Sequence, residues 1–356
     1  MYEEQTCWVK LGGNKSRTFK VTNGTRQGSV LSPLLFSVYL DDLLVKLRNL
    51  GLGCHIGGLW YGGCGYADDL ILLAPNREVL QRMVDVCQLY AVEHNLVFST
   101  DPVPALSKTK CIFFCGRAGK VKYPDPVKLD GQDLPWVESA VHLGHTLHQV
   151  TNMEKDCQIA RAKFIDKTVQ LREDLSFANA DQILKAVQII CSDAYGSMLW
   201  KLSSDASEQF FKAWNTTVKL VYDVPRSTFT YLVEGHFAAG HTSLRNQILS
   251  RYSGFYRNLI ISPSKEVRIL ARIVSGDPRS STCSNLRYLQ KMTGLSQPQF
   301  FSSAKVKIAL PVKQVPESEK WRLGLLDNLL KMKKEKYLRV EDSKTICAKI
   351  DSLYNT

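Results

Sequence analysis

Near residue 150 the spacing of apolar residues changes, and that change restricts the chain to folds that place sheet first and helices second. Upstream, short runs of β-branched and aromatic residues alternate with Gly, Pro and Asn, as strands and their turns require. Thr6–Leu11 and Thr18–Thr22 flank Gly12-Gly13-Asn14-Lys15 as a hairpin. Cys54–Trp60 and Leu70–Ala74 flank a glycine-rich turn, Gly62-Gly63-Cys64-Gly65, that runs into Tyr66-Ala67-Asp68-Asp69. Further strands are expected at Leu96–Ser99, Cys111–Cys115, Val127–Leu129 and Val141–Leu147. Two helices interrupt this pattern. Pro33–Leu50 has Ser32 at the cap position, Pro33 at the first helical position and Gly51 just past its last apolar turn. Asn76 caps a second helix reaching about Asn95, in which Leu80, Met83, Val84, Cys87 and Ala91 recur at helical spacing. Downstream the pattern is helical, over Asn152–Leu175, Asp181–Leu202, Ala206–Tyr222, Thr242–Ile261 and Lys265–Val274. The resulting class is α+β.

Composition narrows the function classes. With 44% hydrophobic and 22% charged residues over 356 positions, the chain can bury a sizeable core and is neither collagen-like nor wholly disordered. No stretch approaches the ~18 apolar residues of a membrane span, because the strongest run, Leu31–Leu40, ends at Asp41-Asp42. The N-terminus lacks the basic and apolar regions of a secretory signal, so the expected location is intracellular, nuclear or cytoplasmic. Ten scattered cysteines without a C-x-x-C pair read as reduced thiols. The net charge of +12 divides unevenly: residues 1–150 hold 15 Lys+Arg against 14 Asp+Glu, and residues 151–356 hold 31 against 20. A surplus confined to one half fits a polyanionic partner, and equally a solvated basic surface. Within residues 226–291, ten basic side chains face three acidic ones, with Tyr252, Phe255 and Tyr256 interleaved. Arg245, Arg251 and Arg257 do not share one helical face, and the aromatics fit the stripe Ile248, Tyr252, Phe255, Leu259, so packing is expected of them and phosphate contact of some of the arginines.

Two stretches carry chemistry. Asp68-Asp69 places adjacent carboxylates at a tight bend, where both stay ionised most easily near a cation. Magnesium keeps several waters and asks for only one or two protein carboxylates beside substrate phosphates. An ordinary acidic turn is the competing reading of any lone Asp-Asp pair. The second stretch is Arg26-Gln27-Gly28-Ser29-Val30-Leu31-Ser32-Pro33-Leu34-Leu35-Phe36. Gly28 removes a side chain where a backbone must pass close to nucleic acid, or simply relieves the turn into the helix. Gln27 can offer an amide to a base or sugar edge and Arg26 can pair with phosphate.

The run R-Q-G-x-x-L-S-P-L-L-F, followed about forty residues later by Tyr-Ala-Asp-Asp, resembles the second and third palm motifs of reverse transcriptases, of the non-LTR (LINE-type) retrotransposon kind. The resemblance implies a partial polymerase palm at 1–150, an antiparallel sheet with packing helices. A helical thumb-like region at 151–225, a basic helical region at 226–296, and a linker with C-terminal helices at 297–356 would follow. It implies RNA-directed DNA synthesis by two-metal nucleotidyl transfer, with Mg2+, an RNA template, a DNA primer and deoxynucleoside triphosphates. Asp68 and Asp69 would be the catalytic, metal-holding carboxylates, with Tyr66 and Ala67 beside them. Arg26, Gln27 and Gly28 would contact template–primer and nucleotide. Ser107-Lys108-Thr109-Lys110 is similar to the fourth motif, which would bring Lys108 near the nucleotide phosphates. Val141-His142-Leu143-Gly144 looks like the hairpin that grips the primer end, with Leu143 and Gly144 positional in role. His142, His145 and His148 recur every third residue, but on one strand His145 would face away from the other two.

In the family a first palm motif upstream supplies another carboxylate. Before Asp41 this sequence has no aspartate, only Glu3 and Glu4. The expectation is therefore an N-terminally truncated polymerase fragment, inactive alone, whose missing strand would leave apolar surface exposed. The alternative is a non-catalytic, nucleic-acid-binding remnant.

Overall fold

The computed structural model describes residues 5–21, 24, 28–101, 103, 106–114, 122–150, 154–190, 194–224, 226 and 243–294. The expected linker and C-terminal helices, along with Arg26 and Gln27, lie outside them. The class is α+β, with two-stranded antiparallel ladders in the first part and helices in the second. The chain divides into two compact units, Met1–Ala140 with His148–Val150, and Val141–Leu147 with Thr151–Thr356. No described helix is long and apolar enough to cross a membrane.

The first unit opens with β1 (Gln5–Cys7) paired to β4 (Phe19–Val21), and β2 (Lys10–Leu11) paired to β3 (Asn14–Lys15). Gly12 and Gly13, both at positive φ, form the tight turn between β2 and β3. Helix α1 (Ser32–Asn49) begins one residue earlier than expected. Ser32 is its first residue rather than its cap, since Leu31 occupies that position in helical conformation and no side chain caps the end. At the other end Gly51, at φ +65, lets its own N–H and that of Leu52 close back on Arg48 and Leu47. Next come the hairpins β5 (His55–Ile56) with β6 (Leu59–Trp60), and β7 (Gly63–Tyr66) with β8 (Asp69–Leu72). Helix α2 (Arg77–Glu93) is capped as expected by Asn76, whose Oδ1 accepts from Val79 N–H at 2.9 Å.

Leu40, Leu43 and Leu47 of α1 meet Met83, Cys87 and Tyr90 of α2 with Trp60 between them. The Tyr90 hydroxyl donates to the Tyr39 carbonyl, and Tyr39 in turn donates to the His94 carbonyl at 2.8 Å. A smaller core joins α2 to β9 (Val127–Leu129) and β10 (Gln132–Leu134), turned by Asp130-Gly131. Here the Gln81 amide acts as a surrogate strand edge, donating to Lys128 C=O at 2.8 Å and accepting from Lys128 N–H at 2.7 Å. Leu96–Ser99 forms no strand: Asn95 at positive φ and Leu96 N–H returning to Ala91 C=O make it the tail of the α2 cap. Of the strand expected at Cys111–Cys115, Cys115 lies outside the described residues, and among the described ones only Cys111 forms a β-bridge, to Trp136. The single strand expected at Val141–Leu147 is a hairpin instead, β11 (Ser139–His142) with β12 (His145–His148), because Leu143-Gly144 both adopt positive φ.

The helical unit contains α3 (Glu154–Asp174), α4 (Ala180–Ile190), α5 (Asp205–Val221), α6 (Leu244–Ile260), α7 (Lys265–Gly276) and α8 (Ser281–Thr293). Serines cap four of them, Ser204, Ser243, Ser264 and Ser280, each accepting the N–H three residues on. The helix expected over Asp181–Leu202 does not reach Leu202: Gly196 at φ +75 leads into a single tight turn at Ser197–Leu199. Helix α8 was not expected, although Ser280, the spacing Cys283, Leu286, Leu289 and Gly294 are its start, face and stop signals. The core gathers Phe164, Leu184, Trp200, Phe210, Trp214, Ile248, Tyr252, Tyr256, Leu286 and Leu289. Of the expected stripe Ile248 and Tyr252 are buried and Phe255 and Leu259 half-buried, while Tyr256, off that stripe, is buried too. Among described cysteines all are free, and burial pushes the Cys87 thiol up to about 12 and those of Cys111 and Cys157 up to about 11, which keeps them protonated and inert.

One polar residue locks this core. Asn285 is 2% exposed; its Oδ1 accepts from Leu202 N–H at 2.8 Å and its Nδ2 donates to Trp200 C=O at 2.7 Å. Asn285→Ala leaves two buried backbone groups unpaired, so it should cost roughly 2–4 kcal/mol, read as a lower urea midpoint at unchanged slope. In the first unit, Leu34 and Val38 on α1 are 63% and 64% exposed beside exposed Leu31, Leu35 and Val45. Replacing Leu34 and Val38 together by Lys should reduce aggregation, measured by sedimentation, while changing stability by less than about 0.5 kcal/mol per site.

Candidate active site

The carboxylate pair stands on the β7–β8 hairpin, and the reason lies in the glycines before it. Pairing runs Gly63↔Leu72, Cys64↔Ile71, Gly65↔Leu70 and Tyr66↔Asp69, so Gly63, Gly65, Leu70 and Leu72 share one face. That face lies on α1: a Cβ on Gly63 would come within 3.0 Å of Leu44 and Trp60, and one on Gly65 within 3.4 Å of Leu40. Gly62 is tighter still, its added Cβ falling 2.6 Å from Trp60 Nε1, which donates to the Leu52 carbonyl. The glycine run expected to be a turn is therefore a strand cleared of side chains to admit a helix, and the turn proper is only Ala67-Asp68.

Tyr66, 67% exposed, and Asp69 share the opposite, solvent-facing side; Asp68 projects from the turn, with Ala67 at φ +51. Among the described residues neither carboxylate has a hydrogen-bond or ion-pair partner. Two acceptor-only groups, adjacent, hydrated and unneutralised, are a donor set suited to a hard cation such as Mg2+. No group of three or more His, Cys, Asp or Glu able to hold a metal gathers among the described residues.

The remaining candidates are placed as follows. Gly28 is exposed at φ +83, with no protein atom within 4 Å of an added Cβ, so the sign of φ is what demands glycine there. Lys108 is exposed on a bend rather than at a strand end. Its neighbours are pinned: Ser107 Oγ donates to Thr109 C=O at 2.7 Å, and Thr109 Oγ1 donates to Ser99 C=O at 2.8 Å. No described hydrogen bond or ion pair joins Lys108 to Asp68 or Asp69. Leu143, at φ +48 and 36% exposed, and Gly144, at φ +77, form the β11–β12 turn. That turn belongs to the helical unit, where Gly144 backs onto the Tyr195 ring; a Cβ there would fall 3.1 Å from Tyr195 Cε1. The sequence reading missed the group around His145 that holds it, because Asp156 and Tyr195 carry no motif of their own. Of the three arginines weighed for phosphate contact, Arg245 is engaged internally, pairing with Glu208 and lying over the Phe211 ring at 5.0 Å.

Residues 2–147 match the family described as reverse transcriptase (RNA-dependent DNA polymerase). The chain is 30% identical over 122 residues to a Pol polyprotein from the type-1 retrotransposable element R2 of Nasonia vitripennis, covering 34% of this chain and 11% of that protein. It is 37% identical over 84 residues to the polyprotein of the type-2 element R2DM of Drosophila melanogaster, covering 24% and 8%. Similarity to the RNA-directed DNA polymerase from the Drosophila melanogaster mobile element jockey is lower but longer, 22% over 293 residues, covering 78% and 30%. The chain thus spans about a tenth of the length of the R2 relatives it matches.

The glycine face yields a direct check. Gly63→Val should destabilise the chain by roughly 1–3 kcal/mol through overpacking against Leu44 and Trp60. Cys64→Val, one residue on and on the other face, should stay within about 0.5 kcal/mol in the same denaturation series.

Proposed function

We propose that this chain, whose residues 2–147 are a reverse transcriptase domain of the kind found in non-LTR retrotransposons, is a segment of an RNA-directed DNA polymerase. The reading assigns it one side of a two-metal nucleotidyl-transfer site. The observation that carries it is the Ala67-Asp68 turn: two hydrated carboxylates held out from a glycine strand by α1, in the order and spacing of the Arg-Gln-Gly and Tyr-Ala-Asp-Asp motifs.

In this reading Asp68 is the principal ligand and Asp69 supplies field and turn geometry. Asp68 and Asp69 would hold Mg2+, which would supply Lewis-acid stabilisation of phosphate charge. The chain's own residues do the rest. Arg26, Gln27 and Gly28 meet template–primer and nucleotide, Tyr66 and Ala67 present the carboxylates, and Lys108 answers phosphate charge. Leu143 and Gly144 set the primer end. RNA template, DNA primer and deoxynucleoside triphosphates are the partners, and the exposed Arg161, Lys163, Lys167, Arg272, Arg287 and Lys291 of the helical unit favour a polyanion.

The two-metal reaction ordinarily draws a further carboxylate from a separate strand, and these 356 residues contain no aspartate before Asp41. A polypeptide of these residues alone should therefore bind Mg2+ weakly and bind an RNA–DNA duplex with salt-sensitive affinity, yet leave a primer unextended. Primer extension on an RNA template with Mg2+, with Asp68→Asn as control, tests this. Extension that Asp68→Asn abolishes would show that the site is completed from within the chain. Failure to bind nucleic acid even at low salt would overturn the polymerase reading itself.

A further inference from the structure

The ribbon that β1 to β4 form holds its side chains out to solvent. Every residue from Thr6 to Lys20 is exposed, Trp8 by 48%, Phe19 by 51% and Leu11 by 82%. Gln5–Val21 contains Lys10, Lys15, Arg17 and Lys20 and no acidic residue, whereas the rest of residues 1–150 holds 11 basic against 14 acidic. A two-stranded ribbon is marginal in water by itself, so core packing does not account for one that presents a tryptophan and four cations.

Pleat and register sort these side chains. Thr6 pairs with Lys20 and Cys7 with Phe19, so the two pairs lie on opposite faces. Lys10 pairs with Lys15, and Ser16 N–H donates to Val9 C=O at 2.9 Å, which holds the strands together between the two ladders. There the return strand sets Ser16-Arg17-Thr18 against Trp8-Val9, a bulge of one residue. Alternation from Thr6 puts Trp8 and Lys10 on the Lys20 face. The Lys15 ammonium, 4.4 Å from the Trp8 ring centroid, shares that face. Cys7, Val9, Leu11 and Phe19 occupy the other.

Lys10 and Lys15 in direct cross-strand register repel one another, a cost that an anion lying across them would remove. Among the described residues no carboxylate pairs with Lys10, Lys15 or Lys20; Glu3 and Glu4, the acids nearest in sequence, lie outside those residues. Cations gathered around an exposed indole complement a chain of phosphates that also offers flat bases. Stacking on the indole requires an unpaired base, which selects a single strand over a duplex.

We propose that the Trp8 face of this ribbon is a binding surface for single-stranded nucleic acid, with Trp8 stacking on a base while Lys10, Lys15 and Lys20 meet the flanking phosphates. The assignment rests on reading the chain as a polymerase segment, and it adds a surface outside the Arg-Gln-Gly and Tyr-Ala-Asp-Asp motifs.

The test titrates the full chain against fluorescein-labelled oligo(U), oligo(dT) and a DNA duplex, read by anisotropy. Trp8→Ala should weaken single-strand binding about tenfold and leave duplex binding unchanged. Trp8→Phe should keep most of the affinity, and Trp8→Leu, which is apolar but offers no π-face, should lose as much as the alanine variant. Lys10→Gln combined with Lys15→Gln should lower the slope of log affinity against log salt by about 1.4, about 0.7 for each phosphate contact removed. Every variant should unfold at or above the wild-type temperature, because the side chains altered are exposed. Losses on both single strands show that base and phosphate are read, and a loss on oligo(U) alone that the 2′-hydroxyl is read as well. Unchanged single-strand affinity in Trp8→Ala would overturn the proposal, as would an equal loss on the duplex, or a Trp8 dependence found only with phosphatidylserine vesicles. Absence of any nucleic-acid binding by the unaltered chain would instead overturn the polymerase reading, and this inference with it.

Discussion

The contact between α1 and the side-chain-free face of β7 sets the geometry of the first unit. With Gly63 and Gly65 facing Leu44 and Leu40, helix and strand approach closely: an added Cβ would be tight at Gly63, 3.0 Å from Leu44, and in ordinary contact at Gly65, 3.4 Å from Leu40. That closeness fixes which face of the hairpin is buried, and pleat alternation then dictates that Tyr66 and Asp69 look outward. The carboxylates are exposed because their neighbours have no side chains, a packing cause with a chemical result. Trp60 closes the arrangement from the side, its indole N–H on the Leu52 carbonyl and its ring against Gly62.

The helical unit relies on a different device. Its apolar faces would pack in more than one register, and polar ties with directional demands select one. Asn285 reads the backbone at Trp200 and Leu202; the Tyr222 hydroxyl donates to Asp181, joining α5 to α4; Arg245 joins α6 to Glu208 on α5 and to Tyr288 on α8. Burial and the Asp181 carboxylate both push the Tyr222 phenol upward, so it stays a donor throughout the physiological range. Each tie is costly to break from one side only, which is how a buried polar group specifies structure more than it adds stability.

How much of this was legible in the sequence depends on whether a residue's role is local. The α1 stop at Gly51, the Asn76 cap and the Gly12-Gly13 turn are set within a few residues, and the sequence displayed them. The Gly62–Gly65 run was misread because glycine signals a turn locally and a close approach non-locally, and only the position of α1 distinguishes the two. Leu143-Gly144 fell inside an expected strand when read by composition, since leucine carries no turn signal, whereas the motif resemblance placed a hairpin there, as the structure does. The carboxylate pair was legible through its motif. The group around His145 was not, since Asp156 and Tyr195 are ordinary residues in sequence and acquire a role only where three segments meet.

Internal pairing divides the basic residues of the helical half into engaged and exposed sets. Not all of its basic surplus is available to a polyanion, because Arg245 is paired with Glu208 and Arg279 forks onto Asp277. The exposed remainder on α3, α7 and α8 is spread over several helices rather than gathered in a fork that could grip one phosphate. Under the proposed function such a distribution would attract nucleic acid through its field, screened by salt over about 10 Å, and would carry no address. Register must come from groups that are few, rigid and uncharged.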